Sequence, residues 1–92
     1  MGFRRDAKID GNQNSIIEFL QVHGAKVIRT AQLKNAFDLL VLHNGRTFIV
    51  EVKQPKGKMT EGELKCKALV ESAGCKYWVI RDTDSALEML NS

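Results

Sequence analysis

The sequence predicts an α/β domain, a small mixed β-sheet flanked by helices in the order α-β-β-β-α-β-α. Three observations predict it. Apolar residues recur at helical spacing near the start, after the middle and at the end of the chain; two strand-like runs are separated by Asn44-Gly45; and a short run apolar on both faces lies between the last two helical stretches. Sheets with one or both faces to bury are covered by helices, so a layered α/β arrangement follows. Ninety-two residues without repeats, linkers or low-complexity tracts make one domain, 1–92, with residues 1–9 as a basic N-terminal arm.

The elements follow in order. Residues 11–23 read as the first helix, capped by Asn12 or Asn14, with Ile16, Ile17 and Leu20 facing inward and Gly24 as its stop. Residues 26–30 form a short strand, and 31–35 a polar loop. Residues 37–43 and 46–53 are two strands of a hairpin, because Asn-Gly suits a two-residue type I′ turn. Pro55 stops the second of them and opens an irregular basic loop, 54–58. Thr60 and Glu63 have the spacing of a capping box, so a second helix starts there, with Leu64, Ala68 and Leu69 inward and Gly74 at its end. In the strand 75–80, Tyr77 and Val79 lie on one face and Trp78 and Ile80 on the other, which predicts a place in the sheet interior. Asp82 or Thr83 caps a last helix carrying Ala86, Leu87 and Leu90.

A chain this short buries only about 60–65% of its unfolded surface, so a second copy would help its thin core. Its hydrophobic (43%) and charged (27%) fractions are those of an ordinary soluble domain, and no apolar run is long enough to span a bilayer. The first residues lack the apolar stretch of a secretion signal, so the protein is expected in the cytoplasm. Cys66 and Cys75 are then expected to be reduced, and neither has a partner at zinc-ligand spacing; His23 and His43 also stand alone. The net charge of +3 is a mild excess, but its distribution is uneven. Arg4, Arg5 and Lys8 cluster at the start, and Lys53, Lys56, Lys58, Lys65 and Lys67 follow mid-chain. Such clusters suit a polyanion, although a solvated lysine face would look the same.

The hairpin carries the chemistry. With Asn44-Gly45 as a two-residue turn, residues whose numbers sum to 89 face each other: His43 with Arg46, Leu40 with Ile49, and Asp38 with Glu51. The last pair is of the closer, non-hydrogen-bonded kind, with Cβ atoms roughly 4.5–5.5 Å apart. Lys53, two residues beyond Glu51, projects from the same face. Like charges directly opposed destabilise a hairpin, and the neighbours Leu40, Leu42 and Ile49 are apolar. Two acids on such a face call for a cation. A hard ion needs oxygen ligands and keeps several waters, so Asp38, Glu51 and the Val52 carbonyl would suffice for Mg²⁺. The plainer alternative makes Asp38 the end of an edge strand and residues 51–53 a solvated face. Phe48, Val50 and Val52 would then fill the core, leaving Leu40 and Ile49 exposed.

Several stretches carry a wider likeness: Asp10-Gly11-Asn12-Gln13, Gly24-Ala25-Lys26-Val27, Phe37-Asp38-Leu39-Leu40-Val41, the run from Gly45 to Glu51-Val52-Lys53, and Lys58-Met59-Thr60. From Asp10 to about Leu90 the chain resembles the PD-(D/E)XK nuclease superfamily. More closely, it resembles stand-alone, phage-type VRR-NUC (virus-type replication-repair nuclease) proteins, which are related to archaeal Holliday junction resolvases. The resemblance implies a restriction-endonuclease-like fold and a site binding Mg²⁺ or Mn²⁺ through Asp38, Glu51 and the main chain of Val52. It assigns Lys53 to orienting or activating the attacking water.

Three positions depart from the family pattern. Phe37 stands where Pro usually precedes the Asp, and this supplies no ligand. Gln13 stands where resolvases carry an acidic ligand on the first helix, so it joins the candidate site as a neutral member, and a second metal would be held more weakly. Glu63 stands where VRR-NUC proteins favour Gln. It could assist the site, but as the capping-box acid it has a sufficient structural role, and that role is assigned here. Glu18 lies off the Gln13, Ile17, Leu20 stripe and is expected at the surface.

The activity implied is metal-dependent hydrolysis of DNA phosphodiesters. Lys56, Lys58, Lys34, Arg29, Arg4 and Arg5 are the candidate backbone contacts, none of which reads sequence. With no base-reading element in the chain, branched DNA such as a Holliday junction is the expected substrate, cut by a homodimer with two sites in a bacterial or phage-infected cell. Two other readings stay open: a catalytically silent DNA-binding module with Gln13 marking decay of the site, and a structural assembly protein with a fortuitous acid pair.

Overall fold

A computed structural model describes residues 11–33 and 36–92. Its elements are α1 (Gln13–Val22), β1 (Lys26–Arg29), β2 (Leu39–His43), β3 (Arg46–Val52), α2 (Glu61–Ser72), β4 (Tyr77–Ile80) and α3 (Thr83–Leu90), the predicted order. One four-stranded mixed sheet runs β1-β2-β3-β4, antiparallel except for the parallel β3–β4 pair that α2 connects.

The turn chemistry sets the register. Asn44 and Gly45 both take positive φ, 51° and 76°, as a type I′ turn demands. The ladder that follows pairs His43 with Arg46 and Leu40 with Ile49, as the sequence predicts. Alternation then sends Leu39, Val41, Phe48, Val50 and Val52 to one face, where they meet Ile16, Ile17 and Leu20 of α1 and Ala86, Met89 and Leu90 of α3. This side is the core. The opposite face holds Leu40 and Ile49, half-buried, and the buried Glu51 and Tyr77. On it lies α2, which contacts β4.

Three expectations are corrected. Strand β4 is not interior but an edge strand: its residues are apolar on both faces because Ile80 and Trp78 join the core while Tyr77 is buried on the opposite face. Helix α2 turns Glu63, Cys66 and Val70 toward the protein, whereas Leu64, Ala68 and Leu69 face out, with Leu69 70% exposed. Its orientation follows its first turn, where the capping box ties Glu63 to Thr60 and an ion pair ties it to Lys53, so Glu63 is turned inward. In α3, Met89 rather than Leu87 completes the inward set, the spacing that puts Ala86, Met89 and Leu90 on one stripe.

Asn12 is the N-cap of α1, yet its side chain makes no capping bond. Its Nδ2 instead donates to the carbonyls of Lys53 (3.0 Å) and Arg81 (2.9 Å), tying α1 to the chain just beyond β3 and β4. Among the described residues no helix is long and apolar enough to cross a membrane.

Candidate active site

The ends of β2 and β3 bring Asp38, Glu51 and Lys53 into one neighbourhood, but not as a continued ladder. Regular pairing stops at Leu39 and Val50. Beyond it the Asp38 amide donates to the Val50 carbonyl at 3.0 Å, while its own carbonyl accepts from Thr30 at 2.7 Å, still in register with β1. Asp38 Oδ2 accepts the Val52 amide at 2.9 Å, a bond a directly opposed pair would not make. The carboxylate thus takes the ladder position that a further β2 residue would have filled.

Glu51 is 3% exposed, so the solvated-face alternative fails for it even though Phe48, Val50 and Val52 do fill the core. Tyr77 donates its hydroxyl to Glu51 Oε1 at 3.1 Å. Burial, then the Asp38 carboxylate and Glu63, push the Glu51 carboxyl up to about 9, and burial beside Glu51 raises the Tyr77 phenol in turn. Lys53 Nζ lies 2.9 Å from Glu63 Oε1. That same oxygen accepts the Thr60 amide at 2.8 Å, closing the capping box. Burial works against ionisation of Glu63, but the Thr60 amide and Lys53 outweigh it and hold its carboxyl below the usual range. Glu63 therefore closes the cap and also lines the cleft, paired with Lys53. A cleft of about 220 Å³ opens here, lined by Asp38, Glu51, Glu63, Thr60, Phe37 and Leu33 among others.

Among the described residues no three His, Cys, Asp or Glu side chains stand together as a ready cage for a metal. The donors present, two crowded carboxylates and strand main chain, nevertheless fit an ion that keeps most of its waters. Gln13 is buried, 1% exposed, with no partner for its Nε2 among the described residues, and neither it nor Lys53 lines the cleft itself. Glu18 is exposed as expected, and so are Arg29, Lys56 and Lys58. Arg4, Arg5, Lys8 and Lys34 lie outside the described residues.

A solved structure described as "VRR_NUC domain" superposes on the chain with a TM-score of 0.69, covering 87% of this chain and 95% of that one. The fold is that of a VRR_NUC domain. At 19% identity the likeness to the VRR_NUC structure concerns the fold, and no family model or curated protein matches the sequence.

Sequence reasoning missed Tyr77, Arg81 and Asn12. Alternation could place Tyr77 on a face, but not beside Glu51, because nothing local in 75–80 says which strand β4 joins. Nothing local marks Arg81, and Asn12 reads as an ordinary cap, because their side-chain partners are 24 or more positions away in the chain.

Proposed function

We propose that this chain is a metal-dependent endodeoxyribonuclease of the PD-(D/E)XK type, related to Holliday junction resolvases and selecting branched DNA by shape. The observation that carries the reading is the buried Glu51 set against Asp38 with Lys53 beside them at one strand end. A buried carboxylate crowded by another is costly unless a proton or a cation relieves it. Asp38 and Glu51 would hold Mg²⁺ or Mn²⁺. The Val52 carbonyl would join them, since it leaves the strand on the same side as the amide that meets Asp38. Bound there, the ion would polarise a phosphate oxygen and acidify a water.

The chain's own residues do the rest. Glu63, which lines the cleft, holds Lys53 beside it, where the ammonium can orient the attacking water or meet the negative charge that develops on phosphorus oxygens. Lys56, Lys58 and Arg29, all exposed, supply sequence-independent phosphate contacts. Gln13 brings no charge, so a second ion would be held weakly. A twofold homodimer would present the two sites that symmetric junction cleavage needs, and the outward Leu64 and Leu69 of α2 are apolar surface a second copy could cover.

The test is incubation with labelled four-way, flapped and linear duplex DNA in Mg²⁺, Mn²⁺ or EDTA. Cutting that needs metal and prefers branched substrates is expected. Tight junction binding with no cutting in any metal would instead support the silent DNA-binding module.

A further inference from the structure

Lys53 leads directly into a β-turn over residues 54–57, in which the Gly57 amide donates to the Gln54 carbonyl at 2.9 Å and Pro55 presets the first corner. A single guanidinium sits on the carbonyl side of this turn. Arg81 Nη1 donates to Gln54 O at 2.8 Å and Gly57 O at 2.7 Å, with Pro55 O at 3.4 Å. Three carbonyl dipoles converging on one point repel one another unless a cation lies among them. Arg81 is itself anchored, because its own carbonyl accepts from the Asn12 side chain, which also holds the Lys53 carbonyl. With its carbonyls turned inward onto Arg81, the loop leaves Lys56 and Lys58 exposed on its outer side, immediately after the catalytic candidate.

We propose that Arg81 is a positioning residue that, braced by Asn12, presents Lys56 and Lys58 to the DNA phosphates while making no phosphate contact itself. This rests on the nuclease reading above. Removing Arg81 would free the turn and let both lysines lose their register with the backbone. Its mark is in substrate binding, not in the chemical step.

The experiment compares wild type, Arg81→Ala, Lys56→Ala/Lys58→Ala and the triple variant on a labelled four-way junction, following Kd across a salt series and KM and kcat in Mn²⁺. Arg81→Ala should raise Kd and KM roughly five- to tenfold with kcat within about twofold, and flatten log Kd against log salt by up to about two, as two lost phosphate contacts require. The triple variant should bind no more weakly than the double. Amide exchange read without DNA should show Gly57 faster in Arg81→Ala and the β3 amides unchanged. Arg81→Gln, neutral and shorter, serves as the second variant if Arg81→Ala folds poorly, and the same direction is expected. Additive loss in the triple variant, or unaltered Gly57 exchange, would overturn the brace alone. A wild type that binds no DNA would overturn the nuclease reading and this inference with it.

Discussion

The Tyr77 hydroxyl donates to Glu51 Oε1 at 3.1 Å across the parallel β3–β4 pair, in a buried setting. A residue with no chemistry of its own thereby fixes which way a metal-binding candidate points. Partners of this kind orient ligands, and their loss typically lowers metal affinity about 10–100-fold. Tyr77→Phe keeps the ring and removes the bond. Mn²⁺ affinity by calorimetry should fall about tenfold, and undiminished affinity would show that Glu51 needs no such support.

Glu51 also predicts a pH dependence. Its carboxyl titrates near 9 when folded and at 4.5 as an ordinary glutamate, so the folded state holds a proton that the unfolded chain gives up in between. The stability this proton confers is fully present below about 4.5 and is lost as pH rises toward 9. In EDTA, the melting temperature of wild type relative to Glu51→Gln should therefore fall progressively across this window. A constant difference would refute the buried, protonated carboxyl.

The same proton competes with metal. Mn²⁺ affinity of the wild type should climb between about pH 6 and 9, by up to roughly tenfold per unit, because binding must expel it. A flat profile would mean that Glu51 is already ionised in the free protein.

Glu63 joins a cap to a lysine, and the two roles separate by substitution. Gln at the third helical position still completes a capping box. Glu63→Gln should thus melt close to wild type, while losing the ion pair that holds Lys53 and with it about tenfold in kcat. Glu63→Ala should lose both, with a stability cost of about 1 kcal/mol for the cap. Equal activity in all three would leave Glu63 a structural residue only.

Much of this was legible because its causes are local. Asn44-Gly45 dictated the turn, the turn dictated the register from His43–Arg46 to Leu39–Val50, and alternation did the rest. The capping box at Thr60 and the inward set of α1 were equally local. What the sequence concealed depended on distant partners. Leu64, Ala68 and Leu69 look like an inner stripe until Lys53 claims Glu63 and turns the helix. β4 reads as interior because a helix layer covers one face as completely as the core covers the other. Asp38 appears as a simple cross-strand partner until its carboxylate takes the Val52 amide.

Asp38, Glu51 and Lys53 are proposed to act together as one metal-dependent hydrolytic site. The decisive measurement is cleavage of a labelled four-way junction in Mn²⁺ by wild type, Asp38→Asn, Glu51→Gln and Lys53→Ala, each first shown to be folded. Wild type should cut, EDTA should stop it, and each substitution should slow it at least about a hundredfold. Cutting that persists in EDTA, or in any one of the three variants at the wild-type rate, would rule this site out.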